Sequence, residues 1–164
     1  TDHYDPRNKV LRLSDATYGQ CSVAAVGVAA HECGHAIQHA RRYAPLQFRS
    51  ALVPVANFGS MIAWPLIVLG LFINSQSSAM IINIGILAFS LAVLFQLVTL
   101  PVEYNASGRA VRILAETGMM QGEEIVATKK VLNAAALTYV ASAAAAILQL
   151  VRILILTGGR RRDD

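Results

Sequence analysis

Three of the four histidines in the sequence lie within one short stretch, AAHECGHAIQHARR, at residues 29–42. His31, Glu32 and His35 form the pattern H-E-x-x-H. On a helix, residues i and i+4 share one face, so both imidazoles can reach a single zinc ion at about 2.0–2.1 Å. The glutamate between them can accept the proton of a zinc-activated water that attacks a peptide carbonyl. The pattern therefore predicts a zinc-dependent peptidase with Glu32 as its general base.

His39 continues the row of histidines at the same spacing, but it does not suit the same ion. Residues i and i+8 lie about 12 Å apart along a helix that rises 1.5 Å per residue, and one zinc ion does not bridge that distance. Arg41 also stands where the longer pattern H-E-x-x-H-x-x-G-x-x-H has its third histidine. We therefore expect His39 to be a structural or positioning residue.

A catalytic zinc ion takes three protein ligands and a water molecule, so a third ligand must come from another part of the chain. His3 is one candidate. Glu103 is the stronger candidate, because it is the first charged residue after residues 50–102, which contain no charge. We expect an apolar hairpin over that stretch, which would return the chain to the same membrane side as the histidine helix.

Several other side chains are candidates for supporting roles. Ser107 could orient a zinc-bound imidazole through its hydroxyl, although it could equally be a plain helix serine. Tyr4, Tyr18 and Tyr104 are candidate oxyanion donors that the sequence does not rank. Gly34 leaves room for another segment to approach the histidine helix closely, although it could also be tolerated helix filler.

The elements that must position these residues are predicted to be mainly helical. From about residue 22 to residue 42 the chain is rich in alanine and valine and has no proline, which favours a helix. Before this helix, residues 10–13 alternate apolar and basic side chains and predict a short edge strand.

The composition indicates a membrane protein. Hydrophobic residues make up 55% of the chain and charged residues only 15%, whereas a typical soluble chain carries about 25% charged residues. A bilayer-spanning helix needs roughly 20 apolar residues, so the uncharged stretch can supply two, near residues 53–73 and 79–100, joined by the polar turn NSQSS. We predict a transmembrane helical hairpin.

Two other observations concern the partners of the chain and the state of its cysteines. Basic and aromatic residues do not interleave in a way that indicates base stacking, so we expect no nucleic acid partner. Cys21 and Cys33 are too few for a disulfide framework, and we expect them to be free, mostly buried thiols.

We predict a single membrane metallopeptidase domain over residues 1–164. Gly118 and Gly122 divide its third part into two soluble helices, and its last part either spans the bilayer or packs against protein. The chain begins at Thr1 without a methionine, and we expect the natural N-terminus to be missing. Residues 1–49 contain the edge strand and the H-E-x-x-H helix, and residues 50–102 form the transmembrane hairpin. Residues 103–131 contain the third ligand and the soluble helices, and residues 132–157 form a C-terminal apolar helix.

The basic residues favour one orientation in the membrane. Arg41, Arg42 and Arg49 precede the hairpin and further basic residues follow it, whereas its turn carries none. Because basic residues near spanning segments favour the cytoplasmic side, we expect an integral membrane protein with a cytoplasmic active site. The basic residues at 160–162 argue the other way if the last apolar helix spans.

The sequence also resembles the bacterial membrane-bound neutral zinc metallopeptidases, the YugP-like family of the gluzincin type. The stretches that carry the resemblance are DHYDPRNKVLRLS, SVAAVGVAAHECGHAIQHA, PVEYNASGRA and VLNAAALTYVASA. The resemblance implies a zincin-like fold in the bacterial cell membrane, zinc bound by His31, His35 and Glu103, and Glu32 as the catalytic base. By analogy with related zinc peptidases, we also expect residues 10–13 to lie beside the active-site cleft as an edge strand with which an extended substrate could pair. More distantly, the chain resembles the membrane-embedded heat-shock metallopeptidases, whose E-x-x-x-D motif has an aspartate where this chain has Ser107.

Together these features predict an integral-membrane zinc endopeptidase that acts on peptides or membrane proteins at the lipid bilayer. The alternative is a non-catalytic membrane protein that binds or senses a metal. Glu32 separates the two, because a binding site has no need of that carboxylate beside the metal. A transporter would place ionisable groups inside its spanning segments, and the hairpin has none. The oligomeric state is not predicted.

Overall fold

The structure, a computed structural model, describes residues 1–162 of the chain. Three of the helices in this range are long and apolar enough to cross a membrane. The predicted mainly α fold with apolar helices is therefore confirmed. In chain order the elements are β1 (His3–Asp5), β2 (Val10–Arg12), α1 (Asp15–Tyr18), α2 (Val23–Ala40), α3 (Ala44–Phe72), α4 (Ser78–Glu116) and α5 (Glu123–Arg162).

The long helices end at different places from those predicted. α4 continues through Pro101 to Glu116, and α5 joins the second predicted soluble helix to the C-terminal apolar segment. A proline removes only one backbone donor from a helix, and long apolar helices tolerate this loss. Glu103 therefore lies inside a continuous helix and not at a helix end. The predicted break is present between α4 and α5, where Gly118 and Gly122 have φ values of 70° and 55°.

The predicted edge strand is present as β2, but it pairs with a strand that the sequence did not predict. β1 and β2 form an antiparallel two-stranded sheet in which Tyr4 lies opposite Leu11. Asp5 stabilises the connecting turn, because its Oδ1 accepts the backbone N–H groups of Arg7 at 3.0 Å and Asn8 at 3.2 Å. A carboxylate at the last residue of β1 thus stabilises the turn that joins the two strands.

The chain forms two compact units. The first consists of Thr1–Gln47 and Leu100–Tyr139, and the second of Phe48–Thr99 with the residues from Val140 onward. All the candidate site residues lie in the first unit. The single metallopeptidase domain stays a prediction.

In the second unit, large apolar side chains lie on the outside. Phe58, Met61 and Phe72 of α3 are 59%, 66% and 85% exposed. Small residues form the contacts between helices instead, since a Cβ atom at Gly59 would meet the backbone of Ala88 in α4. Small residues between helices and large apolar residues on the outside are the arrangement that lipid favours.

In the first unit, α2 packs directly against the backbone of α4 at Gly34. A Cβ atom at this position would lie 2.9 Å from the carbonyl carbon of Ala106 and still closer to its oxygen. Only glycine leaves enough room for two backbones to approach this closely. The predicted close approach at Gly34 is confirmed, and it brings the histidine helix against the helix that carries Glu103.

Candidate metal centre and active site

The two histidines of the H-E-x-x-H pattern lie one turn apart on α2. The helix begins after Ser22, whose side chain accepts the N–H of Ala25 at 3.2 Å and so caps the first turn. The rings of His31 and His35 meet edge to face, with centroids 4.7 Å apart, and their Nε2 atoms are 3.1 Å apart. The helical spacing therefore brings the two Nε2 atoms to one point, as the pattern predicts.

Glu103 of α4 reaches the same point from the opposite side. Its side chain is buried, and only 2% of the residue is exposed. Oε2 of Glu103 lies 3.0 Å from Nε2 of His31 and 3.5 Å from Nε2 of His35. Three candidate ligand atoms thus form a triangle with sides of 3.0, 3.1 and 3.5 Å.

These distances fit a tetrahedral zinc ion. Two ligands at 2.0–2.1 Å from a tetrahedral ion are about 3.3–3.4 Å apart, a value that lies between the sides of the triangle. The donor set of two imidazole nitrogens and one carboxylate oxygen is also the kind that zinc takes in peptidases. The three residues could therefore hold the metal without rearrangement of the helices.

Glu103 controls the proton that a metal would have to displace. Burial alone would lower the pKa of His35, but the hydrogen bond and the charge of Glu103 oppose this effect, and the net pKa of His35 is raised. Glu103 thus favours the protonated form of His35, which would balance the charge of the buried carboxylate in the absence of a metal. Because zinc binds the neutral imidazole, metal binding must release this proton.

Gln38, which sequence reasoning missed, orients His35. The residue is fully buried, and its Nε2 donates to the carbonyl oxygen of Val102 at 2.9 Å and to Oδ1 of Asn105 at 3.0 Å. Because both partners only accept, the amide oxygen must face Nδ1 of His35, 3.0 Å away. That nitrogen therefore carries a hydrogen, so once metal binding has released the proton on Nε2, the lone pair of Nε2 faces the metal position.

The same hydrogen-bond network extends to a cation. Nε of Arg109 donates to Oδ1 of Asn105 at 2.8 Å, and the guanidinium lies 5.5 Å from the ring centroid of Tyr43. Asn105 is thus held between Gln38 and Arg109. The orientation of His35 is fixed by a continuous chain of polar contacts between α2 and α4.

The remaining candidates divide into those near the metal site and those away from it. The predicted contact of Ser107 is present, since its hydroxyl lies 2.9 Å from Nδ1 of His31. His39 lies outside the triangle, and its Nδ1 is 2.9 Å from the hydroxyl of Tyr4. His3 is exposed and bonds to the carbonyl oxygen of Thr1 at 2.9 Å.

Glu32 faces the cleft beside the triangle. Its Oε2 accepts the backbone N–H of Tyr4 in β1 at 3.0 Å. Ligand atoms of Glu32, His31 and His35 also come within 4.8 Å of one another, so this carboxylate is close to the metal position but farther from the imidazoles than Glu103. The strand beside Glu32 is therefore β1, whereas the sequence led us to expect residues 10–13 there.

A cavity of about 320 Å³ opens on these residues. His31, Glu32 and Glu103 line its polar side, and Asp2 lines its mouth with both carboxylate oxygens already bonded, to Ser14 and Thr17. The opposite wall is one face of α5, at the helical spacing i, i+3, i+4 and i+7. The residues of this wall are Leu132, Ala135, Ala136 and Tyr139.

Tyr139 lines this cavity, and the sequence did not single it out. It lies in the stretch VLNAAALTYVASA, where a lone phenol in an apolar helix was the available signal. Of the tyrosines that were singled out, Tyr18 is 82% exposed and Tyr104 is 44% exposed. Tyr4 contributes its backbone N–H to Glu32 and directs its hydroxyl to His39.

The cysteines are free, as predicted, but they are not buried. Both Cys21 and Cys33 are exposed. Partial burial and the charge of Glu32 raise the pKa of the Cys33 thiol. A thiol that stays protonated does not compete with imidazole for a metal.

Comparison with known proteins identifies the family of the chain. A family model described as "Putative neutral zinc metallopeptidase" matches residues 1–158. A relative from Bacillus subtilis (strain 168), named "Putative membrane protease YugP", is 47% identical over 161 residues, which cover 98% of this chain and 70% of the relative. No solved structure is significantly similar to the chain. The chain therefore belongs to the family described as "Putative neutral zinc metallopeptidase".

Proposed function

We propose that this protein is an integral-membrane zinc endopeptidase with Glu32 as its general base. The observation that carries the proposal is the triangle of Nε2 of His31, Nε2 of His35 and Oε2 of Glu103, with sides of 3.0–3.5 Å. The family description names a zinc metallopeptidase, and the name of the relative adds a membrane protease. Both support the proposal.

Two carboxylates compete for the position of third ligand, and we assign it to Glu103. Glu103 contacts both imidazoles within 3.5 Å, whereas the group that contains Glu32 extends to 4.8 Å. Glu103 is also the more deeply buried of the two. An uncompensated buried carboxylate costs several kcal/mol, and a divalent cation removes that cost. Glu32 is left to act on the substrate side.

Each residue around the cleft would then have its own role in peptide hydrolysis. When bound, zinc lowers the pKa of a water molecule and polarises the substrate carbonyl. Glu32 accepts the proton of the attacking water and later gives it to the leaving amine. The backbone N–H of Tyr4, 3.0 Å from Oε2, holds the Glu32 carboxylate at the cleft. Gln38 and Ser107 keep Nδ1 of each histidine bonded, so that both Nε2 atoms face the metal.

The outer edge of β1 is suited to bind an extended peptide. The N–H of Tyr4 points to Glu32 and hence away from β2, so Tyr4 is at a position whose backbone groups face outward from the sheet. A substrate strand could pair with the carbonyl oxygen of Tyr4 at this edge, because the N–H of Tyr4 is already donated to Glu32. An apolar side chain next to the scissile bond could then occupy the cavity against the face of α5 that Leu132 begins.

We also propose that the protein resides in the bacterial cell membrane with its active site on the cytoplasmic side, and that it cleaves peptides or membrane proteins. Three helices are long and apolar enough to span, and large apolar side chains lie on the outside of the second unit. Arg41, Arg42 and Arg49 beside the first spanning segment favour the cytoplasmic side for the site.

Zinc stoichiometry tests the ligand assignment. The purified full chain should hold about one zinc ion, and alanine at His31, His35 or Glu103 should each remove most of it. His39→Ala is the matched control, because it removes a histidine from the same helix outside the triangle, and it should leave the zinc content unchanged. A site that His39→Ala empties and Glu103→Ala leaves full would show that the assignment is wrong.

A further inference from the structure

A second cavity lies in the first unit, at the C-terminal end of α2. Its volume is about 410 Å³. We call it the basic pocket, and its lining is formed by Tyr4, Lys9, His39, Ala40, Arg42 and Gln47.

The lining of the basic pocket carries positively charged side chains that no acidic side chain of the described residues neutralises. It contains a lysine and an arginine and no acidic residue. Among the residues whose side chains the structure describes, no carboxylate lies within ion-pair distance of Lys9 or Arg42. By contrast, Arg12 of the same hairpin is paired with Asp5 at 3.6 Å. Two unneutralised cations in one cavity form a site for an anion.

The backbone gives a second reason to see these cations as a site. Lys9 and Arg42 have φ values of 54° and 51°, and within the described part of the chain no other residue apart from glycine has a positive φ. Lys9 ends the β1–β2 turn, and Arg42 follows the C-terminus of α2, where glycine is the usual residue. Arg42 also suits the partial negative charge of the helix C-terminus, whereas the β1–β2 turn offers Lys9 no helix terminus of this kind.

Tyr4 joins the basic pocket to the cleft. Its backbone N–H donates to Glu32, and its hydroxyl lies 2.9 Å from Nδ1 of His39 in the pocket wall. Along α2, His39 lies about 12 Å from His31. An extended peptide covers that distance in about four residues.

We propose that the basic pocket is a subsite for a carboxylate of the peptide substrate, either an acidic side chain or the chain terminus, about four residues from the scissile bond. This inference rests on the proposed peptidase function. A peptide carboxylate is the anion that the position favours, because Tyr4 lies both in β1, where an extended substrate would pair, and in the lining of the pocket. Lys9 and Arg42 bind the carboxylate by charge-assisted hydrogen bonds.

Peptide binding without turnover tests the proposal. The probes are fluorescein-labelled decapeptides of alanine, serine and leucine, with glutamate or glutamine placed at each position in turn and with a free or amidated C-terminus. Fluorescence anisotropy gives their Kd for the zinc-loaded full chain carrying Glu32→Gln. We expect one glutamate position, or the free terminus, to bind about tenfold more tightly than its uncharged partner, which is about 1.4 kcal/mol.

The variants Lys9→Met and Arg42→Met together should make the Kd of charged and uncharged peptides equal within about twofold. The matched control is Arg7→Met with Arg41→Met, which removes two exposed cations outside the pocket and should keep the preference. A glutamate preference in amidated peptides identifies a side chain, and a preference confined to free acids identifies the terminus.

Three outcomes would overturn the proposal. Charged and uncharged peptides could bind alike, the preference could survive loss of Lys9 and Arg42, or both double variants could weaken it equally, which would indicate overall charge. If the pocket variant instead lost bound phosphatidylserine with unchanged peptide binding, the site would be for a lipid headgroup. A wild type that shows the preference but hydrolyses nothing would refute the peptidase proposal alone, and hydrolysis without the preference would refute only the subsite.

Discussion

The side-chain oxygen of Gln38 lies 3.0 Å from Nδ1 of His35, and the amide group cannot turn over to place its nitrogen there instead. Its nitrogen is bonded to two acceptors on α4, so the hydrogen of the imidazole must lie on Nδ1. The prediction is that Gln38→Met, which has a similar volume but no hydrogen bonds, weakens zinc binding by about 10- to 100-fold. Competition with a chelating dye measures the affinity. Gln20→Met, an exposed glutamine before α2, is the control and should bind zinc normally.

If Gln38→Met kept full zinc affinity in a protein with unchanged circular dichroism, the buried amide would have a packing role only.

The packing at Gly34 predicts an asymmetry between two glycine substitutions. Gly34→Ala forces a methyl group into the backbone of Ala106 and should separate α2 from α4. Overpacking of this kind costs typically 1–3 kcal/mol, and zinc content should fall with stability because the two helices carry different ligands. Gly108→Ala on α4 meets nothing within 4 Å, so it should be neutral or slightly stabilising. Thermal unfolding and zinc content of the two variants check this, and equal effects would contradict it.

The hairpin predicts which strand edge binds substrate. Tyr4→Pro removes the N–H that holds the Glu32 carboxylate at the cleft and distorts the outer edge of β1, so kcat/KM should fall about tenfold or more while zinc content is kept. Tyr4→Phe separates this effect from loss of the hydroxyl. Leu11→Pro acts on the opposite strand and should be milder. A larger loss in Leu11→Pro would restore β2 as the substrate strand, as the analogy with related zinc peptidases implied.

The sequence predicted the metal centre better than its surroundings. His31 and His35 were identifiable because helical spacing alone brings their side chains together, and Glu103 stood out as the first charge after an apolar stretch. The role of Gln38 could not be predicted, because the sequence does not indicate that a glutamine on this helix is buried against α4. The helix end predicted near Pro101 was wrong, since one missing donor does not stop a long apolar helix.

Orientation in the membrane can be tested with cysteine labelling. Because Cys21 and Cys33 are both exposed, the background must lack them. A cysteine at Ser77, in the uncharged turn between α3 and α4, should react with an impermeant reagent in intact cells, and one at Gly122 should not. The reverse pattern would place the active site outside the cell.

The most direct test of the central claim compares zinc-loaded wild type and Glu32→Gln in hydrolysis of unfolded peptide and membrane-protein substrates. The wild type should cleave. Glu32→Gln should keep its zinc and its fold but cleave about 10²- to 10⁴-fold more slowly, because only proton transfer is lost. A Glu32→Gln protein that cleaves at nearly the wild-type rate would contradict the account. A zinc-loaded wild type that cleaves none of these substrates would contradict it as well, and would favour a protein that binds or senses the metal.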